Sequence, residues 1–156
     1  MIVAALLAGC AAPAAPAGEA TAIPACRDPV QVVEAFYAAN DAGQADAALK
    51  LATEDVALVF WAEGANGHHV SSNFAVGKDN LAAWLAKPGL RQTAVAADRP
   101  AFRMEKVTAD GNVVRLMLMP DRLRENGRPF NHYAVEFVLN GCKIELIKVV
   151  ERVTWL

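Results

Sequence analysis

The chain has 156 residues, with 15 lysines and arginines against 17 aspartates and glutamates, and a formal charge of −2. That length suits one domain, and charges of both signs, interspersed, give no basic footprint for nucleic acid. With 54% hydrophobic residues the chain is too apolar to be disordered, yet no apolar run reaches the roughly 20 residues of a membrane helix.

Ile2 to Ala8 is apolar and small residues follow it, the pattern of a signal-peptide core. From Ala11 to Ala25, Pro13, Pro16 and Pro24 stand among alanines with no aromatic residue and no period. That composition makes an extended tether. Leu7-Ala8-Gly9-Cys10 resembles the lipobox of bacterial lipoproteins, in which the cysteine sulfur receives a diacylglycerol and becomes the mature N-terminus. The resemblance implies a signal segment over 1–9, a tether over 10–25 and a folded domain over 26–156. It also implies a place in the bacterial cell envelope, periplasmic or extracytoplasmic, with the membrane reached only through the lipid on Cys10. Cys26 and Cys142 remain, and an even remainder in an exported chain invites a disulfide between them. The other reading is two separate buried thiols.

Asp28-Pro29 offers an N-cap followed by proline at the first helical position. Val30, Val33, Phe36 and Tyr37 then recur at helical spacing until Gly43. A second short helix is expected over Asp46 to Ala52, a strand over Asp55 to Ala62, and another strand in "HHVSSNFAV". Gly77 to Lys87 reads as a short helix. Strands follow near 101–109, 112–119, 130–140 and 142–155. Helices first and a strand meander later indicate α+β with an antiparallel sheet.

Asn140-Gly141 between apolar runs is a strong hairpin signal. With those two residues at the turn, Leu139 would face Cys142. Strict alternation would then place Tyr133, Val135, Phe137 and Leu139, with Cys142, Ile144, Leu146 and Lys148, on the side covered by helices. His132, Ala134, Glu136 and Val138, with Lys143, Glu145, Ile147 and Val149, would lie outside.

With these elements in place, "VVEAFYAANDAGQADAALKLATEDVALVF", "VGKDNLAAWL" and "EFVLNGCKIELIKVVERVTW" resemble the NTF2-like superfamily, which includes SnoaL-like and ketosteroid-isomerase-like proteins. The resemblance covers about residues 28 to 156. It implies a cone, a strongly bent antiparallel sheet wrapped around N-terminal helices, with an open pocket inside. Ketosteroid isomerase needs a carboxylate base and an oxyanion hole of a tyrosine with a protonated aspartic acid. Laid on this chain, those three positions are Phe36 for the tyrosine, Phe60 for the base and Val135 for the second acid. All are apolar, and Tyr37 is one helical step away. That chemistry is not expected here.

Other reactive groups form no site in the sequence. His68 and His69 are adjacent and point apart on an extended chain, so no metal set is assigned with His132. Arg115 lies outside the stripe Val114, Leu116 and Leu118, and would pair across the sheet with Glu136. Cys142 has no histidine partner for a nucleophilic role. No catalytic residue, cofactor or metal is assigned.

The expected pocket has Phe36, Tyr37, Phe60, Trp84, Tyr133, Val135 and Phe137 for walls, with Lys148 and Arg152 on the inward side. Lys148 either snorkels to the rim or, with Tyr133, grips a carboxylate or phosphate on an apolar ligand. The sequence thus points to a noncatalytic domain binding a small apolar ligand or an envelope protein. The alternative is a SnoaL-like isomerase or hydrolase. Ala134, Val138, Ile147, Val149, Met117 and Met119 on the outer face suggest a homodimer.

Overall fold

The computed structural model describes residues 27–63, 69–87, 90–94 and 98–152. Cys10, Cys26 and the segments assigned as signal and tether lie outside them, as does His68.

Helix α1 (Pro29–Asp41) starts as the Asp28-Pro29 pair dictates. The Asp28 carboxylate accepts the Gln31 N–H at 3.0 Å, satisfying one of the first-turn donors that have no partner within the helix. The helix stops before Gly43, whose φ of 71° suits a residue without a Cβ. Helix α2 (Ala45–Lys50) leads into β1 (Ala52–Glu63), which begins earlier than the expected Asp55. Strand β2 (His69–Val76) and helix α3 (Lys78–Leu85) follow, then β3 (Phe102–Asp110), β4 (Val113–Pro120), β5 (His132–Asn140) and β6 (Lys143–Arg152).

The six strands form one curved, unclosed sheet in the order β2-β1-β6-β5-β4-β3. Neighbours run antiparallel except β1 and β6, which are parallel. The helices cover one face. Val33, Phe36 and Tyr37, three and four apart on α1, are buried against Val114, Leu116 and Leu118 of β4 and Val135, Phe137 and Leu139 of β5 within one core. Phe36, Tyr37 and Phe137 meet edge to face, with ring centroids 5.8–6.0 Å apart, a favoured geometry for aromatic quadrupoles. The α+β architecture expected from the sequence is the one observed.

The β5–β6 hairpin departs from the expected register. Asn140 pairs with Lys143, so Gly141 and Cys142 are the turn residues. Gly141 has φ of 60°, and a glycine at the first turn position is the mark of a II′ turn. Cys142 is therefore exposed at the turn instead of facing the core. Next, Leu139 pairs with Ile144 but Val138 pairs with Leu146, leaving Glu145 without a partner on β5. This β-bulge inverts the alternation beyond it.

Its physical reason lies in the side chains. Ile144 and Ile147 are three apart and cannot share one face of a regular strand, whereas burying both keeps two large apolar groups from water. With the bulge, Ile144, Ile147 and Val149 are all fully buried, and Lys148 turns to solvent. Two expectations are corrected. Lys148 and Arg152 lie outside the pocket, and Ile147 and Val149 belong to the core, not the outer face. Leu146 and Val150 stand half-buried in their place.

Candidate functional site

The open end of the cone holds a cavity of about 380 Å³. Phe60 from β1, Trp84 from α3, Phe102 from β3 and Tyr133 from β5 supply aromatic wall. The Tyr133 ring lies 5.4 Å from that of Phe102, edge on, and 6.4 Å from that of Phe60.

The inversion in β6 brings Glu151 opposite Tyr133 and into the cavity. Its Oε1 accepts hydrogen bonds from the Asn131 side-chain amide at 2.6 Å and from the Tyr133 hydroxyl at 3.3 Å. Among the described residues its Oε2 accepts none. Burial, and then the adjacent Glu151 carboxylate, push the Tyr133 hydroxyl well above its ordinary pKa, against the opposing pull of Arg99 and Arg124. Tyr133 is thus a fixed proton donor.

Glu151, Asn131 and Tyr133 are partly buried, whereas Asp98, Arg99 and Arg124 at the same cavity are exposed. The rim therefore carries both signs and the interior carries a single acid. The Arg124 guanidinium sits 4.8 Å over the Phe130 ring, which holds part of the rim in place by cation–π attraction.

No family model matches the chain, and no curated protein matches it in sequence. Solved structures do. An NTF2-like protein of unknown function from Cytophaga hutchinsonii superposes with a TM-score of 0.53 at 15% identity, covering 80% of this chain and 89% of that one. A putative ketosteroid isomerase from Kribbella flavida gives 0.56 at 10% identity, covering 82% and 80%. A de novo designed protein with a curved β-sheet gives 0.52 at 23% identity, covering 79% and 84%. The chain has the NTF2-like fold. At such identities the likeness speaks to the architecture alone.

Within this NTF2-like cone, the expected site residues separate into three groups. Phe60, Trp84 and Tyr133 line the cavity. Phe36, Tyr37, Val135 and Phe137 are buried in the packed core beneath it. There they back the wall from within the core. Burial alone holds the Tyr37 hydroxyl far above its usual pKa. Lys148 and Arg152 are on the far side of the sheet. Arg152 lies across from His132, and Arg115 pairs with Glu136 at 2.7 Å as the alternation of β4 predicts.

Of the positions laid on the isomerase, Phe36 and Val135 are sealed in the core and Phe60 is wall. None offers a proton donor or acceptor. Sequence reasoning missed Glu151, because it counted β6 as a regular strand. The odd spacing of Ile144 and Ile147 was the available signal. It also missed Phe102, at the first position of β3, and Asn131 and the rim groups, which come from the 98–101 segment and the β4–β5 connection, where no periodicity exists to read.

Proposed function

We propose that the protein is an exported, lipid-anchored, noncatalytic NTF2-like domain that binds a small, mainly apolar molecule with a hydrogen-bond-donating or cationic end. One observation carries this reading. The only polar cluster in the partly buried interior of the cavity, among the described residues, is a carboxylate already held by two donors. Such a group needs no proton transfer to be satisfied, and its remaining oxygen accepts from a guest. An acid inside aromatic walls favours an amine or hydroxyl, since cations are drawn both to the carboxylate and to ring faces. The expectation built on Lys148, an anionic guest, is replaced by its opposite.

Noncatalytic binding is favoured over isomerase or hydrolase action by the same arrangement. A general base must be within reach of the substrate proton and paired with groups that stabilise developing charge. Here the best donor, Tyr133, spends its proton on the acid itself. The lipid anchor rests on Leu7-Ala8-Gly9-Cys10 and the proline-rich tether. A homodimer would use the β1–β2 end of the outer face, where Phe74 is 71% exposed and Val76 46%.

The test is a pair of calorimetric titrations, with 2-phenylethylamine and with 3-phenylpropionate, supported by native mass spectrometry for a retained ligand. The amine should bind and the acid should not. Tighter binding of the acid would overturn the reading. Turnover of a β,γ-unsaturated ketosteroid above background would restore the enzyme.

A further inference from the structure

The face of the sheet turned away from the helices carries a second hollow, of about 300 Å³. Its hydrocarbon comes from Met117 of β4, Ala134 of β5 and Val150 of β6, and Lys106, Arg115, Glu136 and Lys148 stand around it. We propose that this hollow is a binding site for a single-chain amphiphile with a carboxylate head, distinct from the pocket inside the cone.

The charge balance gives the sign of the guest. The chain as a whole is net negative, yet here three cations meet one acid. That acid is engaged, since Glu136 Oε2 accepts from Arg115 Nε at 2.7 Å. Lys148 lies opposite Glu136 in register, but among the described residues neither it nor Lys106 forms an ion pair. Two ammonium groups therefore flank an apolar floor with no counter-charge of their own.

Backbone geometry adds an independent mark. Lys106 has φ of 51°, the one non-glycine residue with positive φ among those described. It sits where the β3–β4 register breaks between Glu105 and Thr108. A side chain in that region is costly and persists where the surroundings impose it, commonly at a ligand site. The irregularity puts the lysine on the hollow. The neighbouring His132 shows the resulting field. Its pKa is lowered by burial and then by the positive charges of Arg152 and Lys106.

Shape gives the size of the guest. Taking a water's share of about 30 Å³ as a gauge, the hollow has room for on the order of ten methylene-sized groups, one short acyl chain. A second copy of the chain fits less well. A two-fold contact centred here would set Lys106, Arg115 and Lys148 against their own equivalents. A bilayer surface would meet the lysines but leave the floor empty.

The experiment titrates the full-length protein with decanoate and with decanol at low ionic strength. Decanoate should bind at least tenfold more tightly. A Lys106→Gln/Lys148→Gln double variant, checked for fold by circular dichroism, should bind the two alike. Glu151→Gln and Trp84→Ala, inside the cone, should leave decanoate binding unchanged, which separates this site from the inner pocket. The proposal is overturned if decanoate binds no better than decanol, if the double variant keeps the preference, or if Trp84→Ala abolishes binding. It is equally overturned if phosphatidylglycerol vesicles bind through these lysines while decanoate does not, which would assign the face to a membrane surface. A change of oligomeric state in the double variant, without decanoate binding to the wild type, would assign it to a second copy.

Discussion

Replacing Glu151 with glutamine keeps the size of the side chain and removes its charge, so it isolates the role assigned to the acid. In the folded protein Oε1 accepts from Asn131 at 2.6 Å and from Tyr133 at 3.3 Å. The carbonyl oxygen of glutamine can accept from both, so the fold should lose less than about 1 kcal/mol, the difference between a charged and a neutral acceptor at a partly exposed site. Glu151→Ala instead strands the Tyr133 hydroxyl and the Asn131 amide and should cost about 1–3 kcal/mol. For a bound amine the arithmetic differs. A hydrogen bond to a charged group is worth about 1.5–3 kcal/mol and a neutral one about 0.5–1.5. The partly exposed position argues for the smaller difference, close to 1.4 kcal/mol, or about tenfold in Kd. Calorimetric titration with 2-phenylethylamine, beside urea unfolding of each variant, measures both quantities. Unchanged amine affinity in Glu151→Gln, with stability intact, would refute the assignment of the carboxylate to ligand recognition.

Phe137 is fully buried and meets two other rings, so Phe137→Ala should lose about 3–5 kcal/mol in urea unfolding; a loss below 1 would show that the rings do not pack as described. His132 has a pKa held below the imidazole value of 6.5, so the unfolded chain binds more protons there and stability should fall as pH drops through that value. His132→Gln should flatten this dependence in urea midpoints taken at several pH values. Phe74→Asp should convert a dimer to folded monomers by light scattering, and a wild-type monomer at micromolar concentration would remove the dimer. Cys10→Ala should abolish metabolic labelling with a lipid precursor and release the protein from membranes; persistent labelling would exclude the anchor.

Much of the fold was legible because it rests on local rules. The Asp28-Pro29 cap, the α1 spacing of Val33, Phe36 and Tyr37 and the stripe Val114, Leu116 and Leu118 each follow from one period and one boundary signal. The site was less legible for two reasons. Whether an aromatic residue lines a cavity or fills a core depends on depth within the cone, so Phe60 and Phe137 look alike in sequence. And the face taken by Lys148 or Glu151 depends on every residue between it and the turn, so one unpaired residue was enough to exchange them.

That unpaired residue makes the turn and the pocket independent of each other. Because Glu145 has no partner on β5, losing it would restore even alternation from Ile144 onward while leaving Ile147, Val149 and Glu151 facing as they do now. β6 can thus shorten by one at this point without altering what the cone shows its guest. A deletion on the far side of Leu146 has no such slack and would exchange the acid for a base at the wall. Comparisons among relatives of this chain therefore turn on where a gap is drawn in β6. Placed at Glu145 it keeps Ile147, Val149 and Glu151 matched to residues of the same face; placed beyond Glu151 it matches the pocket acid to its outward neighbour, the position of Arg152.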